Sequence, residues 1–162
     1  MEKVLPFEDV NNVDAFRGWF YMMHDPCLAG DIGEGYGMYP LKKFAGFYTY
    51  VYLKSSCRVD WRLLGVRSFG SLERYAEANN YIDVFIHTES IVSDLLSALS
   101  SLSLIDSDDL PALGTKLNSL SATNVSKSPS ISCREFYTPE MDKTILERER
   151  LLIDKFGYRP PF

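Results

Sequence analysis

Apolar residues recur at helical spacing over much of the chain. Val13, Phe16, Phe20 and Met23 fall 3, 4 and 3 apart, with Trp19 and Met22 widening the stripe, and predict a helix over residues 9–23. Asp25-Pro26 ends it. Residues 44–57 fit two patterns. Tyr48, Tyr50 and Tyr52 alternate with Thr49, Val51 and Leu53 as in a strand, while Phe44, Phe47, Val51 and Lys54 share a helical face. Residues 58–70 read as irregular, anchored by Trp61, Leu63 and Leu64. Ser71 then caps a short helix that stops at Asn79-Asn80. The run Tyr81 to His87 is mostly apolar and β-branched, which predicts a strand suited to a buried, parallel position. A turn at Thr88-Glu89-Ser90 leads into a helix from Ile91 to Leu104, striped by Val92, Leu95, Leu99 and Leu102. A Ser/Asp-rich connection follows, with a helical turn around Leu110 to Leu117.

The last third organises the chain. A polar loop, Asn124-Val125-Ser126-Lys127-Ser128-Pro129, precedes a turn at Phe136-Tyr137-Thr138-Pro139 and one long helix that stops at Gly157. Thr138 suits the N-cap, Pro139 the first helical position, and Glu140 the positive end of the helix dipole. Met141, Ile145, Leu152 and Phe156 share one face, with Leu146 and Ile153 beside them; Glu147, Arg148, Glu149 and Arg150 are assigned to the remaining, polar side. The expectation is a single domain over residues 1–162, mainly α with one or two β-strands.

Composition narrows the function classes. A net charge of −5 argues against general nucleic-acid binding, which wants a basic face. Aromatic residues reach 14 %, so many rings must line a core or a pocket. No apolar run approaches a bilayer span, and MEKVLPFEDV lacks the apolar core of a signal peptide. Cys27, Cys57 and Cys133 are scattered and odd in number, which fits free thiols in a reducing compartment. The expectation is therefore a cytoplasmic protein with no membrane partner, no nucleic acid and no metal.

Residues 27–40 contain four glycines, yet Gly33-Glu34-Gly35-Tyr36-Gly37 follows no strand, carries acids and lacks a Lys-Ser/Thr ending. It reads as a surface loop beside a pocket rather than a phosphate cradle. His24 lies at a helix end next to this loop and is the candidate general base; His87, at the end of the expected strand, is the other histidine.

Three pieces of the C-terminal third resemble PAPS-dependent sulfotransferases: Asn124-Val125-Ser126, Tyr137-Thr138-Pro139-Glu140 and Asp154-Lys155-Phe156-Gly157-Tyr158. Ile82 to Glu89 followed by Asp94-Leu95 is similar to that family's strand–helix unit, and Gly46-Phe47-Tyr48-Thr49 to the start of one of its helices, which favours helix over strand there. The resemblance implies the C-terminal half of the α/β sulfotransferase fold, with Asn124, Ser126 and Lys127 reaching the 3′-phosphate of PAPS or its product PAP. It implies sulfuryl transfer to a hydroxyl, with Glu89 architectural. The glycine-flanked loop that grips the donor's phosphosulfate has no counterpart before Asp25. Transfer would then require complementation by a nucleotide-binding half. A second polypeptide, a symmetry mate or residues near Thr49–Leu53 would complete the sheet around Ile82–His87. The alternative is a non-catalytic helical module, binding or structural, that keeps only the scaffold.

Overall fold

The computed structural model describes residues 9–120 and 130–159, and among them it is mainly helical, with no β-strand. Eight α-helices run in order among the described residues: α1 (Val13–His24), α2 (Phe47–Ser56), α3 (Phe69–Asn79), α4 (Ile91–Ser101), α5 (Leu110–Asn118), α6 (Cys133–Phe136), α7 (Pro139–Arg148) and α8 (Arg150–Phe156). Short 3-10 turns precede α2, α3 and α4. No helix among the described residues is long and apolar enough to cross a membrane. The chain divides into two compact units, Met1–Tyr81 with Lys127–Phe162, and Ile82–Ser126.

In the first unit, Asn12 caps α1 by accepting from the Ala15 amide at 2.9 Å. The face of α1 carrying Phe16 and Phe20 meets the C-terminal segment. Phe16 lies edge-on to Phe136 and Tyr137, while Arg17 donates to the carbonyls of Phe136 and Glu135 at 3.0 and 2.8 Å. The arginine thereby satisfies carbonyls that the short α6 leaves open. Helix α2 takes the ambiguous 44–57 segment, because Thr49, Tyr50, Tyr52, Leu53 and Ser56 are all buried. Burial on several sides explains why no single stripe marked it in the sequence. Leu41, Leu53, Leu63, Leu72 and Met141 are fully buried and form the centre of this unit.

The N-cap of α3 is Ser68, three residues before the serine expected from the sequence. Ser71 completes a reciprocal cap with it. Thr138 caps α7 as expected, accepting from the Met141 amide, and Gly157 ends α8 in a left-handed conformation (φ 67°) that favours glycine. The single helix expected over this stretch is interrupted at Glu149 (φ −103°, ψ 17°).

The second unit holds the segment expected as a buried strand. Residues 82–87 form no strand, and Ile86 is 42 % exposed. A strand requires a laddered neighbour, and Thr49–Leu53, the intrachain partner considered above, lies within α2. Among the described residues, β pairing is confined to one antiparallel bridge between Cys57 and Asn80, both in the first unit. Asp94 of α4 instead holds the end of the segment, accepting from the His87 amide at 3.0 Å and approaching its Nδ1 at 2.8 Å. Those contacts, the amide first, pull the Asp94 carboxyl below its usual range. Glu89, expected as an architectural residue near the start of the helix, is exposed and, among the described residues, accepts from Thr88 Oγ1 at 3.2 Å. Helices α4 and α5 pack together at Gly114, where a Cβ would lie 3.1 Å from Leu96 Cδ1.

Candidate functional site

The most buried charged group in the first unit is built where α7 gives way to α8. The N-cap of helix α2 is Gly46, which has no side chain to cap it. Glu149 supplies that cap from about a hundred residues away. Its Oε2 accepts from the Thr49 amide and the Thr49 hydroxyl, both at 2.7 Å, and its Oε1 from the Tyr48 amide at 3.3 Å. The carboxylate therefore sits at the positive end of α2, with three donors converging on it. Gly46 leaves the space for this approach, since a Cβ there would stand 1.8 Å from Glu149 Oε1.

Arg148 performs the matching task on the preceding turn. Its Nη2 donates to the carbonyls of Lys42 and Ala45 at 2.7 and 3.1 Å and to the Tyr36 hydroxyl at 3.1 Å. The Tyr36 hydroxyl donates to Ala45 O at 2.6 Å, and the Arg148 carbonyl accepts from the Gly46 amide at 2.7 Å. Two adjacent charged residues thus stitch the C-terminal helices to the turn that leads into α2.

His24, the expected general base, borders this cluster. It is 8 % exposed and stacks on Phe20 with ring centroids 4.1 Å apart. Nδ1 lies 2.9 Å from the Phe20 carbonyl, which only accepts, so Nδ1 carries the proton. Nε2 then presents a lone pair, 3.9 Å from Glu149 Oε1 and without a hydrogen-bond partner. That separation is too long for a hydrogen bond. Burial lowers the His24 pKa despite the Phe20 contact, so the imidazole is neutral at pH 7 and forms no ion pair with Glu149. Burial also raises the Glu149 carboxyl above its usual range, with the Thr49 and Tyr48 donors and the Arg148 guanidinium opposing. His24 has the protonation state of a base, but its side chain is nearly sealed from solvent.

The Gly-rich loop is anchored by its own contacts. The Glu34 carbonyl accepts from the Tyr50 hydroxyl at 2.5 Å, and the Glu34 carboxylate pairs with Lys54. Beyond Gly37 the chain opens a groove of about 390 Å³, lined by Gly37, Tyr39, Lys42, Lys43, Phe44 and Arg67 among others. Asn124, Ser126 and Lys127 lie outside the described residues. The first described residue after them, Ser130, is tied to the start of α1: Asn11 Oδ1 accepts from its amide at 2.7 Å. Among the described residues no group of side chains is arranged to hold a metal ion.

The sequence reading missed Arg148 and Glu149, yet a signal was present. They stand seven and eight positions after Met141, so the helical period puts them on the Met141–Ile145 face rather than opposite it. Comparison with known protein families, characterised proteins and solved structures finds no match to this chain.

Proposed function

We propose that this chain is the acceptor-side portion of a PAPS-dependent sulfotransferase, transferring sulfuryl to a hydroxyl when a nucleotide-gripping portion complements it. The observation carrying the reading is the C-terminal signature, from Asn124-Val125-Ser126 to Asp154-Lys155-Phe156-Gly157-Tyr158. Two features of the folded chain support it. The Thr-Pro-Glu piece starts a helix through a Thr138 cap, and the Phe-Gly-Tyr piece stops one at Gly157. Residues 82–87 lead through the turn at Thr88–Ser90 into α4, in the order the resemblance implies. In this reading Asn124, Ser126 and Lys127 hold the donor's 3′-phosphate, through the hydroxyl, amide and ammonium chemistry suited to an oxyanion.

A second reading, a non-catalytic helical binding or structural module, is favoured by one observation. Glu149 and Arg148 direct their hydrogen bonds to the chain's own backbone and to Thr49 and Tyr36, which is scaffold work. Photoaffinity labelling with an azido derivative of PAP separates the two. Label in the tryptic peptides between Lys116 and Arg134 supports the sulfotransferase reading. Absence of specific label, or label confined to other peptides, supports the binding module.

A further inference from the structure

The groove beyond the Gly-rich loop concentrates positive charge on an acidic protein. Lys42, Lys43 and Arg67 line it without a carboxylate among the lining residues, although the chain's net charge is −5. No ion pair joins any of the three to an acid among the described residues. Lys42 is held in place by donating to the Gly37 carbonyl at 2.9 Å, which leaves two ammonium protons for other acceptors. Arg67 is steadied through Nη1 by the Leu64 carbonyl, and Lys43 stands exposed beside them. Apolar walls accompany the charges: Tyr39, Phe44 and Met38, the last 77 % exposed. The volume of about 390 Å³ falls within the range of small-molecule sites.

We propose that this groove binds a small organic ligand through a phosphate or sulfate monoester, held by Lys42, Lys43 and Arg67, with the organic part against Tyr39, Phe44 and Met38. The chemistry follows from the donors. A planar guanidinium and two ammonium groups match the several acceptor oxygens of a monoester, and the rings supply a face for a sugar or base. Such an oxyanion has two sources, the phosphates of a nucleotide or an acidic group on a carbohydrate. The site stands independently of the sulfotransferase reading, because Asn124, Ser126 and Lys127 are not among its residues.

The test is an amide chemical-shift titration of the full chain with hexose 6-sulfate, with PAP, and with uncharged adenosine as control. Saturable shifts at Gly37, Tyr39, Lys42, Lys43, Phe44 and Arg67 are expected with at least one of the two anions and not with adenosine. The arm that responds identifies the source. Binding is expected at about millimolar Kd, weakening as salt is raised. In Lys43→Glu the Kd should rise roughly tenfold or more, since a charge-assisted contact becomes a repulsion. Lys43→Gln, milder in charge, should fall between that variant and the unaltered protein while keeping the spectrum of the folded chain. Shifts confined to other residues, an equal response to adenosine, or affinity unchanged in both variants would overturn the proposal.

Discussion

Glu149 illustrates how one acid can hold two ends of a chain together. It is 5 % exposed and receives the Thr49 amide and hydroxyl and the Tyr48 amide. Glu149→Ala removes the acceptor from buried donors and the negative charge near Arg148. The expected loss of unfolding free energy is about 3 kcal/mol or more, read from urea denaturation. A loss within experimental error would show that water replaces the carboxylate at no cost. His24 gives a separate, pH-dependent outcome. Its folded pKa lies below the ordinary 6.5, so the unfolded chain binds the proton first as pH falls. The stability linked to this group is complete above 6.5 and is lost as pH falls from there toward the folded value. Glu149, whose folded pKa is raised, acts in the opposite sense, favouring the fold as it takes up a proton at lower pH. Comparison with His24→Gln isolates the histidine: the melting temperature of the unaltered chain should fall more steeply below pH 6.5 than that of the variant. At this scale the sequence was partly legible. Thr138, Pro139 and Gly157 act locally, and their roles follow from cap chemistry alone. Arg148 and Glu149 were assigned to a polar surface because charge usually marks solvent, and their partners lie about a hundred residues away.

At the scale of elements, the start of α2 depends on an absent side chain. Gly46→Ala would push a Cβ into Glu149 Oε1 and dislodge the carboxylate from Tyr48 and Thr49. The expected cost is on the order of 3 kcal/mol by thermal or urea unfolding. Combined with Glu149→Ala it should cost clearly less than the sum, because both changes break the same contact. The helix interruption at Glu149 also redistributes burial beyond it. Met141 is fully buried and Leu151 nearly so, whereas Phe156 is only half-buried against Tyr52 and Tyr158. Met141→Ala should therefore cost about 2–5 kcal/mol, and Phe156→Ala less than that, reversing the ranking that one uninterrupted helix would suggest. Helix existence was readable from the apolar period in α1, α4 and α7, where one stripe dominates. The segment 82–87 was not, because a run of β-branched residues reports a preference for extended backbone. Whether a strand forms depends on a neighbour that the run itself does not encode.

Across the whole molecule, the described chain is a helical scaffold with its charge unevenly spread. Acidic residues outnumber lysine and arginine, 22 to 17, while three cations gather around one groove. The interior cluster of Arg148, Glu149 and Thr49 serves the fold, and the groove and the Asn124–Lys127 segment carry the binding chemistry proposed for it. Fold class was legible in outline, mainly α, because helical stripes mark α1, α4 and α7. The groove was not, because Lys42, Lys43 and Arg67 meet only once the turns on either side of α2 have formed. The most direct test of the functional account is calorimetric titration of the purified chain with PAP, in parallel with Lys127→Ala. The account predicts saturable binding at millimolar ligand or below, weakened roughly tenfold by the substitution with the melting temperature unchanged. No heat of binding at millimolar PAP, or the same affinity in Lys127→Ala, would contradict it.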